Sequence, residues 1–256
     1  MKSRETMNMR YIHGRRFHLA VFCIAAILLA SLPLSAAQDQ NSTPAQATDV
    51  LTYRVGGTPL VIPPPTNDMV EMGQDYRVVM DVFVPEQNRL VAAFVTPNDL
   101  AIIKSGGKAM PSQYALVEVL RRGEFMDLSA KDYKDMADTL EQQFGAVLST
   151  AIKEGEDELN RRIKEQNLDD AKISLDKPVQ LGGFFSKTDA YGTGIIMPVT
   201  TNGVTTKVVA GIIFLRVKNR LLFVYLYSVY KDQGTVIWMR KTTENWADAI
   251  LKANEQ

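Results

Sequence analysis

Two neighbouring segments near the C-terminus, Val204–Val217 and Arg220–Tyr230, carry apolar side chains at consecutive positions. Successive side chains of a β-strand point to opposite faces of its sheet, so both faces of these strands must be buried. The runs are interrupted by Arg216, Lys218 and Arg220, which leaves them too short for a membrane span. The sequence therefore predicts an α/β domain in which an antiparallel sheet is sandwiched by helices, an α/β/α architecture.

The remaining strands are predicted from short runs that are rich in Val, Ile, Phe and Leu and bounded by Pro, Gly or Asn. Asn202-Gly203 predicts a type I′ hairpin and Lys218-Asn219 a second turn, so the last strands form an antiparallel meander. Residues Pro97–Ser112 are predicted to form a loop. The other predicted strands are Leu51–Val55, Pro59–Ile62, Tyr76–Val84, Arg89–Thr96, Gln113–Leu120, Val179–Lys187 and Ala190–Thr201.

Two helices are predicted. Ser129 and Asp132 resemble a capping box, and apolar residues recur at helical spacing from Tyr133 to Ile152. Gly155 is expected to end or bend this helix. A second helix, Thr243–Asn254, closes the chain.

Between these helices lies Lys153–Lys172, in which 12 of 20 residues are charged. We interpret this segment as a solvated helical arm, and the alternative is a charged surface that docks a partner.

The first 37 residues have the three parts of a secretory signal: a basic start, the apolar stretch Leu19–Leu34, and small residues before a cleavage between Ala37 and Gln38. Residues 38–50 are polar and are predicted to be a disordered linker, and residues 51–256 a single domain. The apolar stretch is shorter than the roughly 20 residues that span a bilayer. We therefore predict general secretion into a bacterial periplasm, with an uncleaved membrane anchor as the alternative.

Both histidines, His13 and His18, and the only cysteine, Cys23, lie inside the predicted signal. The 219 residues that remain have no side chains for a Ser-His-Asp triad, a cysteine or histidine zinc site, or a disulfide. Their net charge of −4 gives no electrostatic reason for nucleic acid as a partner. We predict no catalytic residue, no cofactor and no metal, and a domain that does not itself cross the membrane.

Two sequence features nevertheless resemble parts of catalytic sites. Ser105 and Lys108 match S-x-x-K, in which a lysine activates a serine, but the S-D-N and K-T-G motifs that accompany it in known enzymes are missing. Carboxylates are dispersed, and sequence alone pairs none of them across a cleft. These two features keep open an exported hydrolase that uses carboxylates or a Ser-Lys pair. The carboxylates considered are Asp75, Asp81, Glu86, Glu118 and Glu124.

Three further patterns have simpler explanations. Gly192-x-Gly194 lacks the third glycine and following helix of a dinucleotide-binding loop. The acidic group from Glu154 to Glu158 does not fit the spacing of a calcium loop, and a solvated helix turn explains it. Tyr225, Tyr227 and Tyr230 are more often core residues than a ligand platform.

Three stretches carry a resemblance to a known fold: GGTPLVIPPP, LSAKDYKDMADTLEQQFG and RLLFVYLYSVYKDQGTVIWMRKTTENWADAILKAN. With the order of the elements, they resemble the PsbP-like fold of the photosystem II protein PsbP, the periplasmic DcrB-like proteins and the Ran-binding Mog family. The resemblance is one of topology and pattern across residues 51–254. It implies a small extrinsic scaffold or adaptor without catalytic machinery, and no functional residue is transferred.

Together these observations predict an exported, periplasmic, non-enzymatic binding or accessory protein of the cell envelope. Its expected partner is an envelope protein or another ligand. The alternatives are the exported hydrolase and a membrane-tethered envelope component.

Overall fold

The computed structural model describes residues 51–81, 83–106, 111–165, 173–201 and 203–255. Several predicted features lie outside these residues: the signal peptide with its cleavage between Ala37 and Gln38, the linker at 38–50, Lys108, Asn202, and residues 166–172 of the charged segment.

Ten strands and four helices are present in the described part of the chain. In chain order they are β1 Thr52–Val55, β2 Thr58–Val61, β3 Val70–Glu71, α1 Gln74–Asp81, β4 Asn88–Val95, α2 Pro97–Lys104, β5 Gln113–Leu120, α3 Ala130–Glu165, β6 Ile173–Leu175, β7 Val179–Lys187, β8 Ala190–Thr201, β9 Val204–Val217, β10 Arg220–Val229 and α4 Gln233–Ala253.

β1 and β2 form a separate hairpin, and the other eight strands form one sheet in the order β3-β4-β5-β10-β9-β8-β6. β7 also pairs with β8, and every pairing in the sheet is antiparallel. The two strands predicted to be central, β9 and β10, are central.

The two faces of the sheet are covered by different elements. On one face, Ile212 and Phe214 pack in a cluster that includes Tyr133 and other residues of α3, and the Tyr133 hydroxyl donates to the Phe214 carbonyl at 2.8 Å. On the other face, Ile213 lies in a cluster that includes Trp246 of α4 and residues of the β1–β2 hairpin. The predicted α/β fold with a large antiparallel sheet and helices is therefore confirmed.

The long helix α3 continues through Gly155 and spans 36 residues. One side of its second half packs against the domain, because Leu159 is buried and Asn160 hydrogen-bonds both the N–H and the C=O of Ile173, at 3.0 and 2.8 Å. Arg161 bridges to Glu86 at 2.9 Å, and Arg162 donates to the Val84 carbonyl. The segment is therefore helical as predicted, as far as Glu165, but it is solvated on one side only. Glu154, Asp157 and Lys164 are exposed, while Asn160, Arg161 and Arg162 bind backbone and charged groups elsewhere in the domain.

Two predictions for the first half of the chain are wrong. Tyr76–Val84 was expected to be a strand, but residues Gln74–Asp81 form α1, which buries Met80 and exposes Val79. Pro97–Ser112 was expected to be a loop, but its first half is α2. Thr96 caps this helix by accepting from the Asp99 N–H at 3.2 Å.

The C-terminal helix begins at Gln233, ten residues before the predicted start at Thr243. Asp232 accepts from the Thr235 N–H at 3.1 Å, and the Thr235 hydroxyl in return accepts from the Asp232 N–H, which completes a capping box. No helix in the described residues is long and apolar enough to cross a membrane.

We expect Asp232→Ala to lower the free energy of unfolding by about 1 kcal/mol, because an amide at the first turn of α4 loses its acceptor. Urea unfolding followed by circular dichroism measures this change. Asp232→Ser retains a capping oxygen and should stay close to the wild type. An equal loss in both variants would show that the cap does not stabilise α4.

Candidate functional site

The Ser-Lys pair of the alternative hydrolase interpretation is not supported on its serine side. Ser105 lies at the C-terminal end of α2, and its hydroxyl donates to the Ile102 carbonyl at 2.8 Å. Lys108 is outside the described residues. The serine thus takes part in the hydrogen bonding that ends a helix.

The candidate carboxylates are distributed over several elements. Glu86 pairs with Arg161 on α3, and Glu124 pairs with Arg89 on β4. Asp75 lies in the first turn of α1. Within this set, Asp81 is near enough to Glu118 for its charge to raise the pKa of Glu118.

Glu118 is a buried carboxyl in the middle of β5. Its side chain is 1% exposed, between the paired residues Leu90 on β4 and Phe223 on β10. The Asn88 amide donates to Oε2 at 2.8 Å. Burial raises the pKa of Glu118 to about 8, and the Asp81 carboxylate acts in the same direction, while the hydrogen bond from Asn88 and the charge of Arg162 oppose it.

This enclosure decides what Glu118 can do. A general acid or base must reach the proton that it transfers, directly or through one water. Glu118 is sealed between two strands, and Asp81, at the end of α1, is exposed. Glu118 is therefore too buried to face a substrate as each carboxylate of a glycosidase does. Glu118 is a carboxyl of the core whose pKa is raised by burial.

The remaining sequence patterns also have structural roles. Gly192 and Gly194 lie beneath the rings of Phe185 and Phe184, where a Cβ would overlap ring atoms. Tyr227 stacks on Tyr114 with ring centroids 4.5 Å apart, inside the core.

Two members of the acidic group on α3 bind backbone amides. Glu156 accepts from the Leu175 N–H at 2.8 Å, and Glu158 from the Glu86 N–H at 3.0 Å. Among the described residues, no group of three or more His, Cys, Asp or Glu side chains is placed to hold a metal ion.

The clearest surface feature is the connection between β5 and α3, residues 121–129, which we name the β5–α3 loop. Phe125 in this loop is 76% exposed and the adjacent Met126 is 42% exposed. Arg121 and Arg122, at the start of the same loop, are also exposed. The sequence analysis missed this site because two adjacent apolar residues, Phe125 and Met126, are too few to show a helical or strand period. The one available indication was an apolar pair among charged residues in a connection between two elements.

The β5–α3 loop is held by bonds at both ends. Glu124 accepts from the Gly56 N–H at 3.1 Å and from Nε of Arg89 at 3.0 Å. These bonds, with the charge of Arg89, hold the pKa of Glu124 below its usual value. The Leu128 N–H donates to the Asn219 carbonyl at 2.9 Å in the β9–β10 turn.

Cations surround this loop. Arg54 on β1 is exposed and donates to the Gly57 carbonyl at 3.2 Å. Lys218, in the neighbouring turn, is exposed and has a positive φ of 45°. Arg220 lies 3.3 Å from Asp127 and so partly compensates that carboxylate. The two carboxylates of the loop therefore face arginines, although Asp127 remains 77% exposed. The exposed cations of the loop and its neighbouring segments, Arg54, Arg122 and Lys218, outnumber it.

No family model matches the sequence, and no curated protein does. Two solved structures are similar to the chain. One is a point mutant of the protein Mog1, with a TM-score of 0.33 and 11% identity, covering 79% of this chain and 95% of that one. The other is the Ran-binding protein Mog1p of Saccharomyces cerevisiae, with a TM-score of 0.30 and 10% identity, covering 77% and 89%. This is the Mog group named for the PsbP-like fold above, and the similarity is one of topology only. It supports no inference about what the chain binds.

Proposed function

We propose that the chain is an exported, non-enzymatic accessory protein that binds a component of the cell envelope through the β5–α3 loop. The observation that carries this proposal is the exposure of Phe125 and Met126, side by side on a loop that is anchored at both ends. Large apolar side chains exposed together favour a binding surface over a solvated connection. The proposal of export rests on the signal pattern in residues 1–37.

The geometry favours binding over hydrolysis. The hydroxyl of Ser105 is engaged at a helix end, and the strongly shifted carboxyl, Glu118, is enclosed in the core. Glu118 is too deeply buried to meet a substrate, and Ser105, although exposed, uses its hydroxyl proton to cap the helix. A binding role needs only the surface that the β5–α3 loop presents.

Crosslinking in cells tests the proposal. We expect the full sequence to yield a processed, exported species that begins at Gln38, as measured by intact mass and cell fractionation. A photo-reactive residue at position 125 should crosslink to an envelope component, and the same residue at position 237 should not. Ile237 is the matched control because it is 63% exposed and lies on α4.

Two results would overturn the proposal. One is an unprocessed chain that remains inside the cell. The other is crosslinking of equal strength from positions 125 and 237, which would mean that the β5–α3 loop has no special role.

A further inference from the structure

The apolar part of the β5–α3 loop is too small for an ordinary protein interface. A stable interface buries roughly 800 Å² on each partner around an apolar centre. A phenylalanine buries about 150–250 Å², so Phe125 and Met126 supply well under that area together. A lipid surface, in contrast, can take up small apolar side chains at the boundary between headgroups and acyl chains, where their burial adds to the attraction between basic residues and anionic lipids.

The charges beside this tip complement an anionic surface. Arg54, Arg122 and Lys218 are exposed and come from three different segments: β1, the loop itself and the β9–β10 turn. Glu124 and Asp127 are the acidic residues of the loop, and each faces an arginine within 3.3 Å. Guanidinium groups bind phosphate oxygens well, and basic residues at a membrane surface are attracted by anionic lipids.

The loop can present these groups at little entropic cost. The backbone of Glu124 and Phe125 lies directly against Gly56, whose φ is +54° and where a Cβ would collide with that backbone. With the bonds to Gly56 and Asn219, this contact fixes the tip before any binding occurs. A preorganised tip loses less conformational freedom on binding than a flexible loop does.

We infer that the envelope component bound by the β5–α3 loop is the surface of an anionic lipid bilayer. Phe125 and Met126 insert at the headgroup boundary, and Arg54, Arg122 and Lys218 contact lipid phosphates. This inference rests on the proposed function, because it identifies the component that the same surface binds.

Vesicle binding tests this inference. The chain is purified from cells that express the full sequence, in the form to which the cell processes it. It is then sedimented with vesicles of phosphatidylcholine, or of phosphatidylcholine and phosphatidylglycerol. We expect binding to the anionic vesicles that weakens as salt is added, because the charges are exposed. Phe125→Ser should weaken it at least ~10-fold, the effect of withdrawing one buried phenylalanine from lipid.

Further variants separate insertion from general adhesion. Arg122→Gln should weaken binding to the anionic vesicles about fivefold, the contribution of one basic residue near such a surface. Ile237→Ser removes an equally exposed apolar side chain elsewhere and should leave binding unchanged. In Phe125→Trp, the emission of the new tryptophan should shift to the blue on anionic vesicles. The unfolding transition of each variant is measured alongside, since these positions are exposed and should not alter it.

The outcomes separate this inference from the proposed function. Equal binding by the wild type and Phe125→Ser, or no binding to anionic vesicles, overturns the lipid inference. If position 125 still crosslinks to a protein in cells, the proposed function stands with a protein as the partner. If that crosslink is absent as well, the proposed function fails too.

Discussion

Replacing Glu118 by glutamine should raise the free energy of unfolding at pH 8 by about 4 kcal/mol. The carboxyl is buried, and its pKa in the folded protein is about 8 against an ordinary value of 4.5. Between these two pH values the unfolded chain is ionised at Glu118 while the folded chain keeps the proton. Unfolding therefore releases a proton, and a rise in pH favours the unfolded state.

The wild type should thus lose stability from about pH 4.5 to about pH 8, and the loss should level off above pH 8. The glutamine variant lacks this titration, and its side-chain oxygen can still accept from Asn88. Urea unfolding of both proteins from pH 4 to pH 9 measures the difference between them. That difference should be small near pH 4 and should grow as pH rises.

Glu124→Gln is the matched control because the pKa of Glu124 is shifted in the opposite direction, mainly by its hydrogen bond to Arg89. Its carboxylate stabilises the fold above its ordinary pKa, and that contribution disappears as pH falls through the lowered value. The Glu124 variant should therefore be less stable than the wild type near neutral pH, and the gap should close in acid. A difference between wild type and Glu118→Gln that stays constant with pH would contradict the assignment of a buried proton to Glu118.

The sequence predicted best those strands whose pattern lies within the segment itself, as a run of apolar residues between turn residues. β5, β7, β8 and β9 have the predicted bounds, because their apolar runs and turn residues are both visible in the sequence. Lys218 and Asn219 both have positive φ, as the predicted turn requires. The central position of β9 and β10 followed from apolar residues on both faces.

α1 could not be predicted, because its cause is not local. Val78-Val79 favours a strand by propensity, yet Arg77 donates to the Val91 carbonyl at 2.7 Å, beside the irregular register between Leu90 and Ala92 on β4. The helix also follows Gly73, whose φ is +72°. The hydrogen bond from Arg77 to β4 and the backbone conformation of Gly73 together outweigh the strand preference of the two valines.

The β5–α3 loop could not be predicted as a candidate site for a similar reason. Nothing in the sequence indicates that Phe125 is exposed, since a phenylalanine in a connection more often packs into the core. Glu118 was visible as a carboxylate inside an apolar strand, but its partner Asn88 depends on the register of β4 against β5. The packing of Lys153–Glu165 likewise depends on Glu86, which lies far away in the sequence, and on the return of the chain at Ile173.

Gly211→Ala should lower the free energy of unfolding by about 3 kcal/mol, at the upper end of the cost of one extra methyl group in a packed core. Gly211 lies on the central strand β9, directly beneath α4. A Cβ there would overlap the methyl group of Thr243 and lie 2.9 Å from the sulfur of Met239. Thr243 is fully buried and donates to the Met239 carbonyl at 2.8 Å, so it cannot turn away freely. Urea unfolding, followed by the fluorescence of Trp238 and Trp246, measures the loss.

Two companion variants identify the cause of that loss. Gly183→Ala on β7 adds a methyl group where nothing lies within 4 Å and φ is not positive, so the free energy of unfolding should change by less than about 0.5 kcal/mol. Thr243→Ser removes the methyl group that the new Cβ would meet and keeps the hydroxyl bond. Combined with Gly211→Ala, it should recover much of the lost stability, because the two sites touch and their effects are not additive. If the double variant is instead as unstable as the two single losses added together, the close approach of α4 to β9 is not what requires glycine at position 211.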